Sequence, residues 1–217
     1  MASSMKVLGL TGGIGMGKSA AADFFRARGI PVVDTDELAH LLVEPGQPAL
    51  AQVVAAFGSR VARPDGQLRR DELARIVFAD PAARKRLENI LHPAIRARWR
   101  AQIETWRAEG RSLAVVVIPL LFETGAEAEL DATICVACSA ATQHQRLLAR
   151  GWSPEQIHQR LQAQWPIEKK IAAADYVIWT EADLDLHAAQ LDRILRCLNI
   201  RPPDRTPHSH RSAPGCL

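Results

Sequence analysis

Five short stretches of this chain are apolar almost without interruption, and the segments between them repeat their apolar positions at helical spacing. Lys6 to Thr11, Ile30 to Val33, Leu113 to Ile118, Asp131 to Ala137 and Tyr176 to Trp179 read as strands. The third and fourth are continuously apolar rather than alternating, the pattern of a sheet covered on both faces. Lys18 to Arg28 carries Ala21, Ala22, Phe24 and Phe25 at helix-like spacing, with Gly29 as a C-cap. A second helix is expected from Glu37 to Val43, ending at the turn Glu44-Pro45-Gly46. From Pro48 to Gly110 the pattern is mostly helical, with a turn at Pro64-Asp65-Gly66 and an N-cap at Asp80-Pro81. Ala140 to Arg150 is helical, Ser153-Pro-Glu-Gln156 fits a capping box opening a helix to about Gln164, and Leu184 to Leu198 is the last helix. Strands alternating with helices imply a parallel sheet with right-handed crossovers. The segment 45–110 is too long for a plain crossover and reads as an inserted helical subdomain that covers a substrate. Arg201 to Leu217, with four prolines and few apolar residues, reads as a mobile tail. No internal repeat is visible.

Composition narrows the class. At 217 residues, 47% hydrophobic and 24% charged, the chain can bury a substantial core, which fits one domain with insertions and excludes disorder throughout. The net charge of +3 suits an enzyme of anionic small molecules as well as it suits weak nucleic-acid contact. Basic residues are scattered and form no recognition module, so no nucleic-acid partner is expected. The longest apolar run, Leu113 to Phe122, contains Pro119 and falls short of the roughly 18 residues a membrane-spanning helix needs, so no membrane partner is expected either. The first six residues carry no charged leader with an apolar stretch behind it, and a cytoplasmic protein is expected. Cys135-Val-Ala-Cys138 has metal or redox spacing, but no second pair or nearby histidine completes a zinc site. Its apolar, strand-like setting favours two small buried hydrophobes.

The chemistry is concentrated in Gly12-Gly-Ile-Gly-Met-Gly-Lys18-Ser19, which matches the phosphate-binding loop G-x-x-x-x-G-K-[ST]. Chance produces the four fixed positions in roughly 1% of chains this long, and the expected strand before and helix after lower that further. The glycines let backbone N–H groups turn inward around phosphate oxygens, and the helix that follows presents its positive end. Residues Gly13, Ile14, Gly15, Met16, Gly17, Lys18, Ser19 and Ala20 therefore form the expected binding site for a nucleoside triphosphate. Lys18 reaches the β and γ phosphates as a point charge, and Ser19 offers its hydroxyl to Mg²⁺.

Asp34-Thr35-Asp36 sits at the carboxyl end of the second strand, where ligands of open parallel sheets gather. One carboxylate there can accept the proton of an attacking hydroxyl or help hold Mg²⁺, and one can cap the next helix. Two acids allow both roles, and Asp36 is the favoured catalytic one. Neither asparagine, Asn89 or Asn199, begins N-K-x-D, and no aspartate has glycine three residues on, so a Ras-type GTPase is excluded. Val115 to Ile118 runs into Pro119-Leu-Leu-Phe-Glu123 rather than the Asp or Asp-Glu of motor ATPases, which leaves a small-molecule phosphotransferase. Such an enzyme needs arginines over the migrating phosphoryl group. Arg146, Arg150 and Arg160 lie on expected helices, and at least one of them belongs to the site.

Thr11-Gly-Gly-Ile-Gly-Met-Gly-Lys-Ser19, Val33-Asp-Thr-Asp36, Leu91-His-Pro93, Ile118-Pro-Leu-Leu-Phe-Glu123, Gln145-Arg146 and Ala174-Asp-Tyr-Val-Ile178 occur in that order and together resemble the dephospho-CoA kinase family, from about Val7 to Leu198. The resemblance implies an α/β P-loop NTPase fold, a five-stranded parallel sheet flanked by helices, with a helical substrate-binding insertion and a lid. It implies one domain over 5–200: a core of 5–44, 111–150 and 174–200, a CoA-binding insertion at about 45–110 and a lid at about 151–173. The implied reaction moves the γ-phosphoryl group of ATP to the ribose 3′-hydroxyl of dephospho-CoA with Mg²⁺, catalysed by Asp36 as base, Lys18, and Arg146 as a phosphate-contacting arginine of the lid region. His92-Pro93 falls among the substrate-side helices, and a monomer is favoured. The competing readings are another small-molecule kinase, for a nucleoside, nucleotide or shikimate-like alcohol, and a non-catalytic nucleotide switch. Three departures stand out: Ala20 where the family usually has threonine, Arg150-Gly151 where it has Arg-Asp, and Trp179-Thr-Glu-Ala182 in place of Asn-x-Gly near the adenine.

Overall fold

The computed structural model describes residues 5–200; the expected tail at 201–217 lies outside them. The chain forms β1 (Lys6–Gly12), α1 (Lys18–Ala27), β2 (Val32–Asp34), α2 (Thr35–Leu42), α3 (Pro48–Phe57), α4 (Arg70–Ala79), α5 (Pro81–Ala108), β3 (Leu113–Val117), β4 (Ala132–Ala137), α6 (Ala140–Ala149), α7 (Pro154–Gln162), α8 (Ile167–Ala173), β5 (Tyr176–Trp179) and α9 (Leu184–Cys197). The strands pair in the order β2-β3-β1-β4-β5, all parallel, so β1 lies at the centre. Its carboxyl end is the position from which a loop meets ligand in such sheets.

Alternate strand residues feed two separate cores, which is why the strands read as continuously apolar. Leu8, Leu10, Val115, Val117, Ile134 and Val136 pack with Phe25, Leu191 and Leu195 of α1 and α9 on one face. Val7, Val33, Ala114 and Val116 pack with Trp99 and Ile103 of α5 and with Leu121 and Phe122 on the other. A third cluster, including Val53, Phe57, Leu73, Val77 and Ala83, holds α3, α4 and the start of α5 together away from the sheet. The sheet edge at β5 is finished by a side chain: the Trp179 N–H donates to Gln190 Oε1 at 2.9 Å, and Gln190 Nε2 donates to the Trp179 carbonyl at 2.9 Å.

Boundaries shifted where capping decided them. Ile30, expected to open β2, instead closes α1, its N–H donating to the Phe25 carbonyl at 3.1 Å. The helix expected from Glu37 starts at Thr35, because Asp34 is its N-cap and Oδ1 accepts the Asp36 N–H at 2.8 Å. Ser153 and Gln156 form the expected capping box of α7. α5 runs through Pro93, which has no N–H for the Asn89 carbonyl, and remains one helix over 28 residues. Cys135 and Cys138 are buried free thiols, and among the described residues no group of three or more His, Cys, Asp or Glu could hold a metal ion. No helix of the described residues is long and apolar enough to cross a membrane.

Gly12 ends β1 at φ +147°, and a Cβ there would sit 2.2 Å from the Val136 carbonyl oxygen on β4. Relief would need the central pair of strands to part. Gly12→Ala is expected to lower stability by at least about 2 kcal/mol, read as a lower urea midpoint with an unchanged slope. A loss within about 0.5 kcal/mol, the range of an ordinary surface substitution, would show that β1 and β4 can separate there freely.

Candidate active site

The loop between β1 and α1 is held from behind rather than left as a free turn. Gly17 is the N-cap of α1 in the left-handed region at φ 98°, so the first turn of α1 opens directly from the glycine. The Thr180 side chain lies behind Gly17, and its hydroxyl donates to the Met16 carbonyl at 2.9 Å. Ile14 is gripped on both sides: Gln143 Nε2 donates to its carbonyl at 2.8 Å, and its N–H donates to Gln164 Oε1 at 3.2 Å. Ser19 is exposed in the first turn of α1, with Ala20 beside it.

Lys18 folds back over the loop, its ammonium donating to the Gly12 carbonyl at 2.8 Å and the Gly13 carbonyl at 3.0 Å. Burial, and after it the charge of Lys170, lower its pKa to about 8 against the pull of Asp36 and Asp34. Asp36 shows the reverse. Protein crowding raises its carboxyl above the usual carboxylate range, and the neighbouring charge of Asp34 adds to that, while Lys18 opposes it. The two groups therefore feel each other across the end of the sheet.

Asp36 also lines a cleft of about 930 Å³, bounded by α2, α4, α5 and the segment after β3. Its walls mix apolar surface, including Leu91, Ile95 and Trp99, with charged groups, including Lys85, Glu88, Arg96 and Glu123. His92 and Pro93 face it as well, and burial lowers the His92 pKa, which favours the neutral imidazole. Arg96 is anchored by donating to the Thr124 carbonyl at 2.9 Å.

The arginines divide. Arg146 is on α6, outside 151–173, and its guanidinium donates to the hydroxyl of Thr180 at 3.0 Å and to the Thr180 carbonyl. It therefore stands behind the phosphate loop, one hydroxyl away from Met16. Arg160 stacks over Trp152 at 4.3 Å and Phe78 at 5.0 Å, and Arg150 is an exposed C-cap. In the Trp179–Ala182 stretch, hydrogen bonds from Ser139, Trp179 and Thr142 pull the Glu181 carboxyl down to about 2. Glu181 thereby ties the end of β5 to the start of α6.

Sequence reasoning missed Gln143, Gln164 and Lys170, and quoted Glu123 only as part of a motif. Lys170 is completely buried, with its ammonium on the Pro119 carbonyl at 2.6 Å and on Glu123 Oε1 at 2.8 Å. One signal for it was present. Ile167, Lys170 and Ile171 stand at i, i+3 and i+4, which places the lysine on the inward stripe of α8.

A model of the dephospho-CoA kinase family matches residues 6–185. A dephospho-CoA kinase of Anaeromyxobacter dehalogenans is 46% identical over 206 residues, covering 94% of this chain and 98% of its own. Among solved structures, one from Thermus thermophilus has a TM-score of 0.76 at 34% identity, covering 89% of this chain and 98% of its own. The dephospho-CoA kinase of Campylobacter jejuni has a TM-score of 0.65 at 25% identity, covering 88% of this chain and 96% of its own. With its P-loop kinase fold and these relatives, the chain belongs to the dephospho-CoA kinase family, whose reaction, the last of coenzyme A synthesis, carries the γ-phosphoryl group of ATP to the ribose 3′-hydroxyl of dephospho-CoA.

Proposed function

We propose that the phosphate loop and the cleft divide the two substrates between them, with Asp36 at their junction as the general base. The observation that carries this reading is the double position of Asp36, which lines the cleft and at the same time feels the charge of Lys18 on the phosphate loop. ATP lies with its phosphates on Gly13 to Ala20, where the inward-turned amides and the start of α1 favour negative charge. Ala20 brings no hydroxyl, but its backbone amide remains in the first turn of α1. Dephospho-CoA occupies the cleft, its acidic diphosphate suited to the basic groups Lys85 and Arg96 and its pantetheine arm to the apolar wall.

Asp36 accepts the proton of the 3′-hydroxyl as that oxygen bonds to the γ-phosphorus and the bond to the bridging oxygen of ADP breaks. Crowding and Asp34 make Asp36 a stronger base than an ordinary carboxylate. Lys18 neutralises charge on the β and γ phosphates once it swings from the Gly12 and Gly13 carbonyls. Arg146 braces the loop through Thr180, and turning its guanidinium toward phosphate would require it to release the Thr180 hydroxyl and carbonyl. The residues present suit Mg²⁺, because this ion takes most of its oxygen ligands from phosphates and water and asks little of the protein. The exposed hydroxyl of Ser19 would hold it, and when bound it supplies positive charge along the phosphates.

In this reading 5–200 is one catalytic unit. Segments 5–44, 111–150 and 174–200 form the core, about 45–110 holds dephospho-CoA, and about 151–173 is the lid. Both sites lie within one chain, so a monomer suffices.

A mass-resolved assay with ATP, Mg²⁺ and dephospho-CoA, beside adenosine and AMP, tests the acceptor: a product one phosphate heavier is expected from dephospho-CoA alone. Asp36→Asn is expected to reduce turnover by roughly 10²–10⁴ while ATP still binds. Near-normal turnover in that variant would remove Asp36 as base. For the wild type, kcat/KM should fall on the acid side as Asp36 gains a proton, at a pH above the usual carboxylate range. It should fall again above about 8, where Lys18 of the free enzyme loses its charge, approaching about tenfold per pH unit. An alkaline limb that stays in place in Lys18→Arg would assign it to another group.

A further inference from the structure

Residues 164–170, from the end of the α7 connection into α8, touch the phosphate loop and the cleft wall at once. At one end Gln164 Oε1 accepts the Ile14 N–H, while Gln143 holds the Ile14 carbonyl. Both backbone polar groups of that loop residue are thus fixed by side chains, and the loop cannot shift without breaking one of these bonds. Next to Gln164, the Trp165 N–H donates to Glu123 Oε1 at 2.8 Å, and the Trp165 ring stacks on Phe122 with centroids 6.3 Å apart. At the other end buried Lys170 donates to the same Glu123 oxygen and to the Pro119 carbonyl. The Pro119 carbonyl also accepts the hydroxyl of Thr11 at 3.2 Å, at the start of the phosphate loop. Pro119 and Glu123 line the cleft.

We propose that Gln164, Lys170 and Glu123 are positioning residues that couple the two substrate sites: the strap 164–170 ties the phosphate loop at Ile14 to the cleft wall at Pro119 and Glu123, so that a substrate ordering one site favours the bound arrangement of the other. This rests on the placement of ATP at the loop and dephospho-CoA in the cleft. Coupling requires that each ligand act differently on the strap's arrangements, and each has a handle. Phosphate acts on the loop that Gln164 holds. In the cleft wall, Glu123 Oε2 is buried with no hydrogen-bond partner, an unfavourable state that a hydroxyl or amide donor of the acceptor relieves. That donor pulls on the carboxylate which also holds Trp165 and Lys170. The ammonium of Lys170 is felt at Lys18 as well, so movement of α8 changes the field at the phosphates.

The test is a calorimetric binding square on the full chain, with a non-hydrolysable ATP analogue and dephospho-CoA titrated alone and together. In the wild type each ligand should tighten the other by at least about fivefold, by the same factor in either order. Gln164→Ala should bring that factor to within about twofold of unity while each ligand alone keeps its affinity within about threefold. A second variant, Lys170→Met with Glu123→Gln, removes the buried charges together, which a fold tolerates better than removing one. It should lose the coupling in the same way. A role confined to holding the fold would lower the melting temperature and leave the factor untouched. A wild-type factor of one, or a full factor retained in Gln164→Ala, overturns the proposal. If the substrate placement itself were wrong, the single-ligand arms would show it: Lys18→Ala would spare the analogue's affinity, and Ala39→Phe, which narrows the cleft, would spare that of dephospho-CoA.

Discussion

A short run of backbone between β1 and α1 has to aim its N–H groups at one point, and most of the molecule is arranged to make that geometry hold. Such a turn does not hold itself, because it needs left-handed glycine conformations and leaves its carbonyls pointing outward. Here four of those carbonyls have side-chain partners. Lys18 takes the Gly12 and Gly13 carbonyls, Gln143 takes that of Ile14, and Thr180 takes that of Met16. Those partners come from the start of α1, from α6 and from the residue after β5, so distant segments of the chain converge on a handful of atoms. The sheet order, with β1 at the centre, makes this convergence possible.

The second organising feature is charge gathered at one end of the sheet. Lys18 and Lys170 repel each other, as do Asp34 and Asp36, and all four act on one small region. Burial first, and the like-charge neighbours after it, push Lys18 toward losing its proton and Asp36 toward keeping one, which narrows the gap between them. A site poised this way responds strongly to an incoming polyanion, since the negative phosphates favour the charged form of Lys18.

Much of this was legible in the sequence where a rule is local. The glycines and Lys18 sit between a strand and a helix as their spacing demands, Asp34 and Asp36 divide capping and cleft positions, and Ser153 with Gln156 builds its capping box. The parallel sheet followed from the continuously apolar β3 and β4. What escaped depends on tertiary partners. Gln143 and Gln164 have no local signature, because a glutamine that holds a backbone residue more than a hundred positions away looks like any helical glutamine. Arg146 could be counted on a helix face, but its direction was set by Thr180, which the chain supplies after another strand. Lys170 stood on an inward stripe, yet its partner Glu123 lies on a loop after β3. Ile30 was misplaced by two residues because the closing bond of α1 outcompeted strand pairing.

The contact of Gln190 with Trp179 has a consequence of a different kind. An outermost strand exposes a row of unpaired N–H and C=O groups on which another extended chain can grow, which is how folded sheets come to aggregate. β5 is that strand, it is only four residues long, and Val177 and Trp179 present sizeable apolar surface to solvent. The Gln190 amide supplies one acceptor and one donor to the last residue, as a neighbouring backbone would, and so occupies the place of the next strand. The molecule is thereby guarded against self-templating at its most exposed apolar edge by a single side chain. Because that side chain projects from α9, the guard persists only as long as the final helix stays docked.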